Sequence, residues 1–325
     1  MRGPVLVTGA SGFVGGHLVD LLCASGQLVF AWARPSASGV LPRLPVSTTA
    51  VDVLDEQAVH RELAALRPHV VFHLAGAAHV GDSWHSTGAT LETNVRGTHH
   101  LLEADRRLGL QARILVPGSA SVYRASPDPL SEGSPLGPAS PYAVSKLAQE
   151  QLGVRAASEG QQVIVTRSFN HVGPRQSTSY AAANFARQVA LIEAHHLEPV
   201  IRTGNLSARR DLTDVRDTVR AYSLLADHGA PGVIYNVCSG TAVSMQELLE
   251  GLCARARIRV RIQPDPTLVR PRDAALLVGD NQRLVRATAW HPSIPLDRTL
   301  DDLLDYWRNR VAGEMNPRKS VPSGQ

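Results

Sequence analysis

Short apolar runs recur through the first half of the chain, separated by longer stretches in which apolar residues return every three to four positions. Val5-Leu6-Val7, residues 28–33, 47–52 and 69–74, Ile114-Leu115-Val116 and residues 163–167 read as strands. Residues 55–66, about 90–108 and about 141–158 carry the helical period. Strands alternating with helices in this way build a parallel sheet covered on both faces. The pattern predicts an α/β class with a doubly wound parallel sheet. After Ser168 the texture becomes irregular, beginning with the loop Phe169-Asn170-His171-Val172-Gly173-Pro174-Arg175. The expected division is residues 1–168 as the first domain and 169–311 as a smaller, partly interleaved C-terminal substrate-binding region, with 312–325 as a flexible polar tail.

The first strand runs into Thr8-Gly9-Ala10-Ser11-Gly12-Phe13-Val14-Gly15-Gly16. Small residues at this spacing let a backbone approach a pyrophosphate, and the helix that follows offers N–H groups and a positive dipole end. A plain strand-to-helix turn is the simpler reading. The position of the glycines, after a strand and before a helix, favours dinucleotide binding and a Rossmann-like fold. Gly9, Ser11, Gly12, Phe13, Val14 and Gly15 are the expected cofactor contacts. The second strand ends in Arg34-Pro35-Ser36 and not in an acid. Arg34 and Ser36 suit a ribose 2′-phosphate, which favours NADP(H), with NAD(H) as the alternative. Asp52 and Val53 end a strand where an adenine would lie. Leu74, Ala75 and Ala77 end another at the ligand-bearing edge of the sheet.

Tyr142-Ala143-Val144-Ser145-Lys146 is the strongest candidate for chemistry. Positions i and i+4 share a helix face, so phenol and ammonium can enter one cleft. The ammonium favours the phenolate, which makes the tyrosine a usable proton donor or acceptor. Ser140 and Pro141 suit a helix start. The bland alternative is a solvated surface pair.

Composition narrows the function classes. Hydrophobic content of 43% and charged content of 19% describe an ordinary globule. The net charge of +4 is spread over scattered arginines, which gives no nucleic-acid footprint. Cys23, Cys238 and Cys253 are widely spaced, so neither a disulfide framework nor a zinc site is expected. The histidine pairs His99-His100 and His195-His196 lack metal-ligand spacing, and no metal is expected. No apolar run reaches membrane-spanning length and no signal peptide precedes the first strand, so a cytoplasmic protein without membrane contact is expected.

The glycine turn, the strand-end Ser119, Tyr142-x-x-x-Lys146 and Asn170-His171-x-x-Pro174-Arg175 stand in order along the chain. Together they resemble the extended short-chain dehydrogenase/reductases that act on nucleotide sugars. Ala78-His79-Val80-Gly81-Asp82-Ser83-Trp84, Gly204-Asn205-Leu206-Ser207-Ala208-Arg209-Arg210-Asp211, and Arg270-Pro271-Arg272-Asp273 with Gly279-Asp280 look like the GDP-mannose 4,6-dehydratase group. That group includes the GDP-4-keto-6-deoxy-mannose reductases. The resemblance implies Ser119, Tyr142 and Lys146 as the catalytic set, with Tyr142 and Lys146 also meeting the cofactor. It implies Ser83, Ser119, Ser121, Asn170, Asn205, Arg210 and Arg270 on a nucleotide-diphosphate sugar, with GDP as the favoured nucleotide. It also implies a homodimer paired through helices near residues 90–108 and 141–158.

One departure separates the branches. Sugar 4,6-dehydratases carry an acid two positions after the strand-end serine or threonine. Here the segment is Ser119-Ala120-Ser121. A serine cannot replace a glutamate as base at neutral pH. The expected activity is therefore NADPH-dependent reduction of the C4 ketone of an NDP-4-keto-6-deoxyhexose. The alternatives are a 4-epimerase with held NAD+, a dehydratase with displaced acids, and a catalytically silent dinucleotide-binding regulator. Arg124 replaces the glycine usual after Tyr123 and leaves the shape of that loop open.

Overall fold

The computed structural model describes residues 3–34, 44–268 and 275–315. Ser36 and Arg270 lie outside the described residues.

The chain runs β1 (Val5–Thr8), α1 (Phe13–Ala24), β2 (Val29–Ala33), β3 (Ser47–Ala50), α2 (Glu56–Leu66), β4 (Val70–His73), α3 (Val80–Ser83), α4 (Thr87–Leu91), a π turn (Glu92–Arg96), α5 (Gly97–Leu108), β5 (Arg113–Ser119), α6 (Pro141–Ser158) and β6 (Val163–Ser168). It continues through β7 (Asn170–Val172), α7 (Ala181–Glu193), β8 (Val200–Thr203), β9 (Arg209–Asp214), α8 (Val215–His228), β10 (Ile234–Val237), β11 (Ala242–Ser244), α9 (Met245–Ala254), β12 (Arg261–Pro264), β13 (Leu276–Leu277), α10 (Gln282–Thr288) and α11 (Leu296–Met315).

Seven parallel strands form the main sheet in the order β10-β6-β5-β4-β1-β2-β3. The winding reverses between β1 and β4, and ligands of open parallel sheets sit at such a switch point. The expected doubly wound α/β class is the one observed. All residues of β1, β4 and β6 are buried, because helices cover both faces. One face packs Leu18, Val19 and Leu22 of α1 with Tyr222 and Leu225 of α8. The other packs Val59 and Leu63 of α2 with Leu101 of α5.

The second half is threaded through this frame. β7, β11 and β13 all pair with β9 in a small mixed sheet, whereas β10 returns to the edge of the main sheet beside β6. A separate core joins α7, α9 and α11. In α11, Leu300, Leu303, Leu304, Trp307 and Val311 make a buried stripe at helical spacing. That stripe carries the helix one turn beyond its last anchor, to Met315. Residues 312–315 are therefore helical, and the flexible tail expected from Ala312 does not begin there.

The long helix expected over residues 90–108 is also different in detail. The π turn at Glu92–Arg96 interrupts it and rotates Asn94 inward, fully buried. Arg124 sits in an ordinary backbone region, with its N–H donated to Pro135 O at 2.9 Å. No glycine is needed there.

Candidate active site

The turn between β1 and α1 is built by close approach. Gly9 has φ of 62°, where a side chain is disfavoured. A Cβ on Gly15 would lie 2.3 Å from Gly9 O, so only glycine lets α1 pack this close to the turn. Gly12 is the N-cap of α1 and makes no side-chain cap bond. The N–H groups of the first helical turn thus have no side-chain acceptor, and Ser11 and Gly12 are exposed. Phe13 and Val14 are half-buried behind them. This is a fit for a dinucleotide pyrophosphate.

The other expected cofactor residues ring the same edge. Leu74, Ala75 and Ala77 follow β4; Ala75 N donates to Thr8 Oγ1 at 3.0 Å and Ala77 N to Asn94 Oδ1 at 2.8 Å. Asp52 is exposed and caps Leu54 N at 2.9 Å. Val53 is buried, and its carbonyl takes a hydrogen bond from His100 at 2.9 Å. Arg34 is exposed just beyond β2.

Tyr142 and Lys146 lie one turn apart near the start of α6. Two serines satisfy the donors of that helix end: Ser140 Oγ accepts from Ala143 N at 3.1 Å, and Ser83 Oγ accepts from Tyr142 N at 3.2 Å. Ser83 also donates to Val80 O at 2.6 Å and is fully buried. Its hydroxyl fixes the backbone of Tyr142.

At the end of β5, Ser119 Oγ accepts from Ser121 N at 3.2 Å and from Ser121 Oγ at 2.9 Å. Burial raises the Tyr142 phenol well above its usual range; a hydrogen bond with Ser119 opposes the rise, and Tyr180 and Tyr222 add to it. The phenol therefore keeps its proton at neutral pH. Lys146 is almost fully buried, and its ammonium donates to Pro117 O at 2.8 Å and Gln149 Oε1 at 2.7 Å. No hydrogen bond joins it to the phenol, so the polar group tuning Tyr142 directly is Ser119. Burial lowers the Lys146 pKa to about 8.

Behind this pair runs a buried chain absent from the sequence reading. Gln149 Nε2 donates to Thr98 Oγ1 at 2.7 Å, Thr98 Oγ1 donates to Asn94 O at 2.7 Å, and His73 bridges Thr98 and Thr8 at 3.0 Å on each side. Burial, with the Lys146 charge behind it, lowers the His73 pKa to about 3. Asn94 also donates to Ser145 Oγ at 2.9 Å. Asn94 lies in the π turn and Thr98 in the α5 turn that follows it, and no periodicity signals a π turn there.

In the small sheet, exposed Asn170 opens β7 and Arg210 lies on β9. Asn205 is exposed and its Oδ1 accepts from Ser207 N at 2.9 Å. Asp211, next to Arg210, is fully buried and accepts from Ser239 N and Oγ, both at 2.7 Å, and from Gly240 N at 2.9 Å. It ties β9 to the loops after β10 and β13, the latter through Gly279 N at 3.3 Å. Asp82, a candidate displaced acid, has a side chain 78% exposed and paired with His79 at 3.0 Å. Among the described residues no cluster of His, Cys, Asp or Glu could hold a metal ion, and no helix is long and apolar enough to cross a membrane.

Proteins that share this arrangement are nucleotide-sugar reductases, dehydratases and epimerases of the extended short-chain dehydrogenase/reductase class, and this chain is an enzyme of that class. More narrowly, it belongs to the GDP-mannose 4,6-dehydratase family, whose profile matches residues 6–303. It is 35% identical over 314 residues to the GDP-6-deoxy-D-mannose reductase of Pseudomonas aeruginosa, covering 95% of this chain and 99% of that protein. The structure of RMD from Pseudomonas aeruginosa complexed with NADPH has a TM-score of 0.83 at 33% identity, over 95% of this chain and 100% of the other. The UDP-glucose 4-epimerase of Thermus thermophilus in complex with NAD has a TM-score of 0.82 at 30% identity, over 94% and 99% of the two chains.

Proposed function

We propose that the protein reduces the C4 ketone of an NDP-4-keto-6-deoxyhexose with NADPH, and that the nucleotide is GDP. The observation that carries this reading is the turn after β5. It sets the Ser119 hydroxyl beside the Tyr142 phenol and offers no carboxylate. NADPH, when bound, supplies the hydride that C4 gains. Gly9, Ser11, Gly12, Phe13, Val14 and Gly15 would hold its pyrophosphate and Arg34 its 2′-phosphate. Ser121 gives two hydrogen bonds to Ser119 Oγ, so the single Ser119 hydrogen, which meets the Tyr142 phenol in the free protein, would turn to the C4 oxygen once the sugar is bound. Tyr142, kept protonated by burial, gives its proton to that oxygen and takes another from solvent. Lys146 supplies the compensating positive charge on the same helix face. Asn170, Asn205 and Arg210 face the nucleotide-diphosphate end. The similarity to a GDP-6-deoxy-D-mannose reductase supports both the reaction and the guanine nucleotide. Incubation with NADPH and GDP-4-keto-6-deoxymannose, followed by NMR of the product, tests it. The likeness to an NAD-bound 4-epimerase favours the second reading, for which purified protein would retain tightly bound NAD+.

Arg34→Ala is expected to raise KM for NADPH much more than for NADH, because only NADPH carries the 2′-phosphate. Equal effects in steady-state kinetics would reduce Arg34 to a solvated cation.

Assembly follows from the helix face opposite the sheet. Leu91, Val95, Arg96, His99, Ala148 and Leu152 line an apolar groove of about 480 Å³ across α4, the π turn, α5 and α6. Val144 stands 46% exposed on α6. We infer that α5 and α6 pair across a two-fold axis, the commonest oligomer symmetry. Light scattering at micromolar concentration is expected to give twice the 34.9 kDa chain mass. A monomer mass would reject the homodimer.

A further inference from the structure

Gln149 is 1% exposed, follows Lys146 by one helical turn and has every polar atom spoken for. The direction of each bond is fixed by its neighbours. Thr98 has a single hydroxyl hydrogen, which goes to Asn94 O. Thr98 Oγ1 must therefore accept from both Gln149 and His73. That sets the Gln149 amide with its nitrogen toward Thr98 and its oxygen toward Lys146. A flipped amide would face the ammonium with donors and Thr98 with an oxygen it cannot bond. The same logic puts the His73 proton on Nε2, leaving Nδ1 to accept from Thr8 Oγ1.

The groups around the Lys146 ammonium are neutral. β5 contributes only Pro117 O, α6 contributes Gln149 and Tyr142, and β4 contributes His73 at one remove. The carboxylate nearest in sequence, Glu150, turns the other way. It takes two bonds from Arg167, at 2.7 and 2.8 Å. Consecutive residues of one helix thus divide the work, with a neutral amide for the lysine and a carboxylate for the arginine. A buried carboxylate at position 149 would pin the lysine equally well but would cancel its charge.

We propose that Gln149 is the positioning residue of Lys146: it holds the ammonium in place through a neutral oxygen and so leaves the charge available to the reacting phenol and to a bound cofactor. The consequence for turnover rests on the ketoreductase reading. The positioning itself does not. The lowered Lys146 pKa agrees with an ammonium that is buried without a counter-ion among the described residues.

The test uses three full-length variants: Gln149→Glu, Gln149→Met and Thr98→Val. The chain has two lysines, Lys146 and Lys319, so lysine-labelled protein gives two NMR signals to follow against pH. In Gln149→Glu the Lys146 midpoint is expected to rise by about one unit or more, because an opposite charge favours the ammonium. In Gln149→Met it is expected to fall below wild type. NADPH affinity, read by fluorescence without any sugar, is expected to weaken about tenfold or more in Gln149→Met, since a hydrogen bond to a charged group is lost. The alkaline limb of kcat/KM should move with the NMR midpoint. Thr98→Val frees the amide without touching lysine or glutamine, and its midpoint should move as in Gln149→Met; it serves if the Met variant does not fold. Unchanged midpoints and NADPH affinity would overturn the proposal. So would a lower Tm as the sole effect, which would reduce Gln149 to packing. If midpoints and affinity respond but the wild-type enzyme reduces no 4-keto sugar, the ketoreductase reading fails and the positioning stands.

Discussion

Tyr142→Phe is expected to lower kcat by about 10²–10⁴-fold, the usual worth of a positioned general acid. NADPH affinity should stay near the wild-type value. The substitution removes one hydroxyl from a ring whose backbone is held by Ser83 and Ser140, so the site should keep its shape. Ser119 would lose its bond to the phenol and keep both bonds from Ser121. The loss should fall on kcat and not on KM, because the proton moves only as the ketone is reduced. Steady-state kinetics with the preformed 4-keto sugar measures it. Near-normal turnover in the Phe variant would remove Tyr142 from the mechanism.

The second large effect is an activity that should be missing. GDP-mannose with NADP+ is expected to give no 4-keto-6-deoxy product, while the preformed 4-keto sugar is reduced. Elimination of water needs a base for the C5 proton and an acid for the C6 hydroxyl. The turn after β5 offers Ser119 and Ser121, and Ser121 is already committed as a donor to Ser119. Asp82 is solvent-facing and held by His79. NMR of the reaction mixture decides the matter. Dehydration at a rate near that of ketone reduction would show that an acid enters from elsewhere and would overturn the reductase reading.

The sheet and the cradle were legible because they rest on local rules. Val5-Leu6-Val7 before three spaced glycines, and Ser140-Pro141 before Tyr142, state strand, turn and helix start in adjacent residues. The bonds of Ser83, to Val80 O and from Tyr142 N, were not legible because they are set by packing between α3 and α6. Gln149 carried no signal at all. Its meaning depends on the donor state of Thr98, which depends in turn on a π turn that no hydrophobic period reveals. The return of β10 to the main sheet was equally hidden, since a four-residue strand, Ile-Tyr-Asn-Val, fits either sheet.

That return has a consequence during synthesis. β6 ends at Ser168, and its outer partner β10 begins at Ile234. At about 5–20 residues per second, the ribosome needs several seconds to make the segment between them. Throughout that interval the nascent sheet ends in Val163–Ser168, a strand that opens on Val-Ile-Val and has its outer backbone donors and acceptors unpaired. A strand in that condition is a template for another chain. Slow translation or crowded polysomes should therefore favour aggregates of this protein seeded at β6, before β10 is made to cover it.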